Sequence, residues 1–220
     1  MLALHPNLLA ILTGFVSGLL LSIPVGPINA TIIHEGARRG FKWGALIGIG
    51  ASLMEVIYCA IAFSSFASFF SRGIVQAAME LVSFVFMLGL GLKFLTVKSV
   101  PHASKVEEKI EIKLHPHSAF MTGFIRVMAN PGVLLGWVIL GAHFLSREWV
   151  EPTWESKGFC VVGVLLATLF WFLGLSWAVS LGHKKFSDKT MVRMQKGSGI
   201  CLLVFAAING IHMIMVMSKK

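Results

Sequence analysis

A chain of 220 residues that is 56% hydrophobic and 13% charged, with a mean hydropathy of +0.80, falls far below the roughly 25% charged share of soluble domains, which excludes a water-soluble globule. The net charge of +9 does not imply a nucleic-acid partner, because the basic residues lie between apolar runs, where they set membrane topology. Cys59, Cys160 and Cys201 fall inside those runs without pairing or ligand spacing, which leaves a disulfide or zinc framework without support and reads them as core residues.

Apolar windows of the about 20 residues that cross a bilayer occur at Leu8–Ile33, Trp43–Phe66, Ile74–Thr96, Ala119–Leu145, Gly158–Leu181 and Gly197–Val216. These six windows predict an all-α integral membrane protein, a single transmembrane domain over 1–220 with no separate soluble part. Met1–Asn7 carries no Lys or Arg and the first window has no small-x-small cleavage pattern, so this window is expected to be structure and not a removable signal peptide.

The first window contains Ser22-Ile23-Pro24-Val25-Gly26-Pro27-Ile28-Asn29. Each proline lacks an N–H and clashes with the carbonyl one turn back, while Gly26 permits a bend. A continuous helix is therefore excluded, and broken helices at membrane depth are tolerated where they are buried or line a polar cavity. Gly14-x-x-x-Gly18 before the break, and Gly40, Gly44 and Gly48 beyond it, recur every four residues on one helix face, which predicts close helix packing within one chain or between the copies of a homodimer.

The second window places Glu55 about 18 Å from either end, near the midplane, where a carboxyl usually faces the bundle interior and marks an ion or proton path. Glu80 in the third window lies nearer a boundary. The connection Val97–Ser118 mixes lysines and glutamates with His102, His115 and His117; its composition suits a surface loop better than a metal site. It separates repeat A, about 8–96, from repeat B, about 119–216.

The fourth window opens with Thr122-Gly123-Phe124, echoing Thr13-Gly14-Phe15, and is interrupted by Asn130-Pro131-Gly132. Gly132 and Gly136 repeat the small-residue spacing. Matched breaks in two halves of three spans each predict inverted repeats with broken helices 1 and 4. Arg126 lies deep enough to bind a substrate carboxylate or to snorkel to the interface. Asn209, in the sixth window, is suited to an interhelical hydrogen bond or a substrate contact, and His212 follows one turn later. Sorting Lys and Arg by loop puts 13 on the side of Val97–Ser118 and 5 on the other, so that loop is expected in the cytoplasm and both termini outside.

Pro24-x-Gly26-Pro27-x-Asn29, the midplane Glu55 and the Asn130-Pro131 break, in six spans of this length, resemble the lysine exporter (LysE/RhtB) family of amino-acid efflux proteins. The resemblance covers essentially the whole chain. It implies a multi-pass bacterial inner-membrane exporter of amino acids or related small metabolites, driven by ion exchange, with no cofactor and no enzymatic activity. The binding candidates are Pro24, Gly26, Pro27, Asn29, Arg126, Asn130, Pro131 and Asn209, with Glu55 exchanging protons. A divalent-metal exporter is the alternative, using Glu55 with Asn29 or Asn130 as hard ligands.

Overall fold

A computed structural model describes residues 5–24, 26–66, 73–98, 118–181 and 188–217; the loop histidines His102, His115 and His117 and the side chains of Glu80 and His212 lie outside the described residues. The described residues are helical almost throughout: α1 Pro6–Ser22, α2 Pro27–Arg39, α3 Phe41–Phe66, α4 Gly73–Thr96, α5 Ala119–Met128, α6 Pro131–Ser146, α7 Trp154–Ser180 and α8 Asp188–Met217. Of these, α3, α7 and α8 are long and apolar enough to cross a membrane alone, and the pairs α1–α2 and α5–α6 qualify when each is taken as one span. Leu81–Thr96 of α4 is a shorter apolar stretch.

The expected breaks fall where the prolines stand. Between α1 and α2 the axis bends by 74°, and between α5 and α6 by 64°. Pro27 and Pro131 each occupy a first helical position, where the missing N–H costs nothing and the fixed φ suits the helix. At the far end of α2, Arg38 and Arg39 sit in the last turn, where cations complement the dipole, and Gly40 closes the helix with φ 88°. Gly40 is thus a cap and not part of the packing face expected from its spacing, because only glycine adopts that backbone without strain.

Close packing rests on reciprocal glycines. A Cβ on Gly14 of α1 would overlap the Cys160 carbonyl of α7, and one on Gly163 of α7 would overlap the Ile11 carbonyl of α1. The same exchange joins Gly123 of α5 to the Ile47 carbonyl of α3, and Gly50 of α3 to the Phe120 carbonyl of α5. Gly91 of α4 and Gly199 of α8 face each other in turn, a Cβ on Gly199 lying 2.9 Å from the Gly91 oxygen. Small residues let backbones meet where lipid offers no hydrophobic drive. The Thr-Gly-Phe echo therefore marks equivalent contacts, α1 on α7 and α5 on α3. Gly132 and Gly136 do not serve this way: their nearest neighbours are the Asn130 side chain and the Phe86 ring.

The core gathers Phe63, Trp137, Phe144 and Phe172, all fully buried, between α3, α6 and α7. Outward faces are apolar as well: Ile200, Val204, Ile208, Ile211 and Ile214 form an exposed stripe on α8, and Val162, Leu166, Phe170 and Trp177 one on α7. Such surface suits lipid as solvent. Cys59 and Cys160 are buried as expected, whereas Cys201 is exposed on the α8 side.

Candidate functional site: two cavities across broken helices

The two helix breaks meet at one cavity of about 300 Å³. Pro24, Gly26, Pro27 and Ile28 line it from the first break, Arg126, Asn130, Gly132 and Val133 from the second, and Glu55 from α3. Phe86, Leu90, Lys93 and Phe94 of α4, Phe172 of α7 and Gln195 of α8 complete the wall.

The breaks are kept in shape by two side chains on neighbouring segments. Asn29 donates through Nδ2 to the carbonyls of Ser22 at 2.7 Å and Pro24 at 2.8 Å, and its Oδ1 accepts from Trp171 Nε1 at 3.1 Å. These carbonyls are left open where the prolines end the first helix, and an unpaired polar group in hydrocarbon is costly. Asn29 is fully buried and committed behind the cavity, not among its lining residues. At the second break Gly132 donates its N–H to Asn130 Oδ1 at 3.0 Å, and the carbonyl of Met128 accepts from the hydroxyl of Tyr58 at 2.7 Å. Tyr58 thus does at α5–α6 what Asn29 does at α1–α2.

Charge in the cavity is set from three helices. Glu55 is 5% exposed and accepts a hydrogen bond from Trp137 Nε1 at 2.5 Å. Arg126 of α5 donates to Thr31 of α2, whose hydroxyl donates to the Pro27 carbonyl at 2.7 Å, so the guanidinium ties the two broken spans together beside the cavity. Lys93 reaches the wall from the last turn of α4 and is exposed. The N-terminus of α2, begun by Gly26 without a side-chain cap, and that of α6 both abut the cavity; helix N-termini favour anions. Pro131 flanks the site without lining it.

A second cavity, of about 290 Å³, shares one lining residue, Leu21, with the first. Its walls are nearly all apolar, with Thr13, Ser17, His143 and Asn209 as polar members. Asn209 therefore stands apart from the Glu55 cavity, and its Oδ1 accepts from Arg147 Nη2 at 2.9 Å. His143 is 1% exposed and packs edge-on against Trp149 with ring centroids 5.4 Å apart.

Pattern and spacing pointed to the prolines, Glu55, Arg126 and Asn130. They did not point to Gln195 or Lys93 as wall residues, nor to Trp137 as the partner of Glu55 or Tyr58 as the partner of the Met128 carbonyl. Tyr58 carried one usable signal, being the only tyrosine in the chain and one helical turn from Glu55. No three His, Cys, Asp or Glu side chains converge as a metal-ligand group among the described residues.

A family model described as LysE type translocator matches residues 19–211, a range that holds both breaks and every residue lining the Glu55 cavity. The chain belongs to the LysE type translocator family. It is also 25% identical over 194 residues to a protein of Bacillus subtilis (strain 168) described as "Putative amino acid efflux protein YcgF", covering 88% of this chain and 91% of that one. No solved structure matches the chain. As a translocator-family member with several apolar helices, the protein is a multi-pass membrane transporter, for which a small-molecule substrate and membrane lipid are the expected partners.

Proposed function

We propose that the protein exports amino acids or closely related metabolites across the bacterial inner membrane in exchange for protons. The observation that carries this reading is the convergence of Glu55, Arg126 and both helix breaks on one cavity of about 300 Å³, at the lower end of the roughly 300–1,000 Å³ of small-molecule sites. The substrate carboxylate lies toward Arg126 and the N-termini of α2 and α6, and its ammonium toward Glu55. Glu55 offers that cavity a carboxyl for which a proton and the cargo's ammonium compete. That competition makes the two fluxes exchange.

The same reading makes the six spans two inverted three-helix repeats, supported by the matched glycine contacts of α1 on α7 and α5 on α3. Cargo leaves through the second cavity once Leu21 moves aside. The loop 97–118 lies in the cytoplasm with the termini outside, as the division of basic residues suggests. Gly14 and Gly18 pack against α7, which supports the within-chain role for that face. The metal-export alternative loses Asn29 as a ligand, since its amide is engaged on both sides.

Counterflow in liposomes reconstituted with the full chain tests the proposal: an amino-acid mixture inside should drive labelled amino acid inward, and a divalent metal such as Mn²⁺ should not exchange. Exchange of the metal alone would replace the reading.

A further inference from the structure

We infer that the cargo is a neutral amino acid with an apolar side chain, neither a cationic nor an acidic one. This rests on the assignment of the Glu55 cavity as the binding site. A zwitterion uses Glu55 for its α-ammonium and Arg126 with the two helix ends for its carboxylate. Among the described residues no second carboxylate lines that cavity, whereas Lys93 adds a second cation to it. A lysine-like side-chain ammonium would share the space with Arg126 and Lys93 and lack a counter-charge, a costly state for a desolvated charge. Phe86, Leu90, Phe94, Val133 and Phe172 instead present the surface that an aliphatic or aromatic side chain buries.

The second cavity argues the same way from different residues. Leu12, Val16, Leu20, Phe144, Leu202 and Phe205 line it, and among the described residues no Asp or Glu does. A charged side chain would lose hydration there and meet no charged carboxylate, Lys or Arg among the described lining residues, while an acidic one would also leave behind Lys93, the cation available to pair with it. An apolar side chain crosses both cavities without that loss.

The test is competition in the counterflow assay with the reconstituted full chain and labelled leucine. Unlabelled leucine, isoleucine, methionine and phenylalanine should compete at least about tenfold more strongly than lysine, arginine or glutamate, the scale on which apolar pockets discriminate. Phe94→Ser should weaken leucine competition several-fold without strengthening lysine, and Phe94→Asp, which adds the missing counter-charge, should raise lysine relative to leucine by about tenfold. Lysine, arginine or glutamate competing as well as leucine against the unmodified protein overturns this inference and leaves the amino-acid reading standing. An absence of counterflow for every amino acid overturns both.

Discussion

Trp137 on α6 donates its indole N–H to the Oε2 of Glu55 on α3 at 2.5 Å, so the helix that begins at the second break grips the acid that stands opposite the first. Glu55→Gln keeps an oxygen for this donor and removes titration. Proton-driven accumulation should therefore fail while exchange of labelled substrate down its gradient survives, both read in the same vesicles. Unimpaired pH-driven accumulation in Glu55→Gln would end the proton-carrier role.

Trp137→Phe removes the donor and part of the buried ring volume. Hydrogen bonds to charged groups contribute about 1.5–3 kcal/mol, so this variant should lower the exchange rate by misplacing the carboxyl. Against Glu55→Gln, whose amide oxygen is only a neutral acceptor, Trp137→Phe should cost less exchange than it does against the carboxylate, as expected for partners in one contact. Strict additivity in a transport cycle of the four proteins would deny the coupling.

Asn29 discriminates a clamp from a ligand. Asn29→Asp preserves shape but cannot donate to the Ser22 and Pro24 carbonyls, and each buried group left unpaired costs about 1–3 kcal/mol. The thermal midpoint of the detergent-solubilised protein should fall by several degrees, with loss of exchange following loss of fold. Full thermal stability with abolished substrate binding would make Asn29 a ligand instead.

Gly123→Ala forces a methyl into the Ile47 carbonyl and should destabilise by about 1–3 kcal/mol, the usual cost of overpacking. Gly174→Ala meets nothing within 4 Å and should be neutral or stabilising, since alanine favours helix over glycine by up to about 1 kcal/mol. Thermal midpoints of the two variants check the contrast.

Leu21→Ala thins the wall that the two cavities share at Leu21. Downhill leak of labelled leucine should rise and the ratio of accumulated to external substrate should drop, while Leu21→Phe should slow exchange without weakening substrate binding. A fully coupled Leu21→Ala protein would place the barrier elsewhere.

The membrane class, the approximate limits of the helices and the two breaks were legible in the sequence, because hydropathy and the proline backbone act residue by residue: Pro27 and Pro131 start helices wherever the rest of the chain lies. That Glu55 lies well inside a long apolar helix, α3, followed from counting residues. Tertiary structure decided which distant groups meet. Asn29 and Asn130 look alike beside their prolines, yet one is sealed behind the cavity by Trp171 and the other lines it. Asn209 went to the second cavity, Gly40 to a helix cap, and Trp137 and Tyr58 to partners on other helices. Each of those outcomes depends on which face of one helix packs on another, a property of pairs of segments that no single stretch of sequence carries.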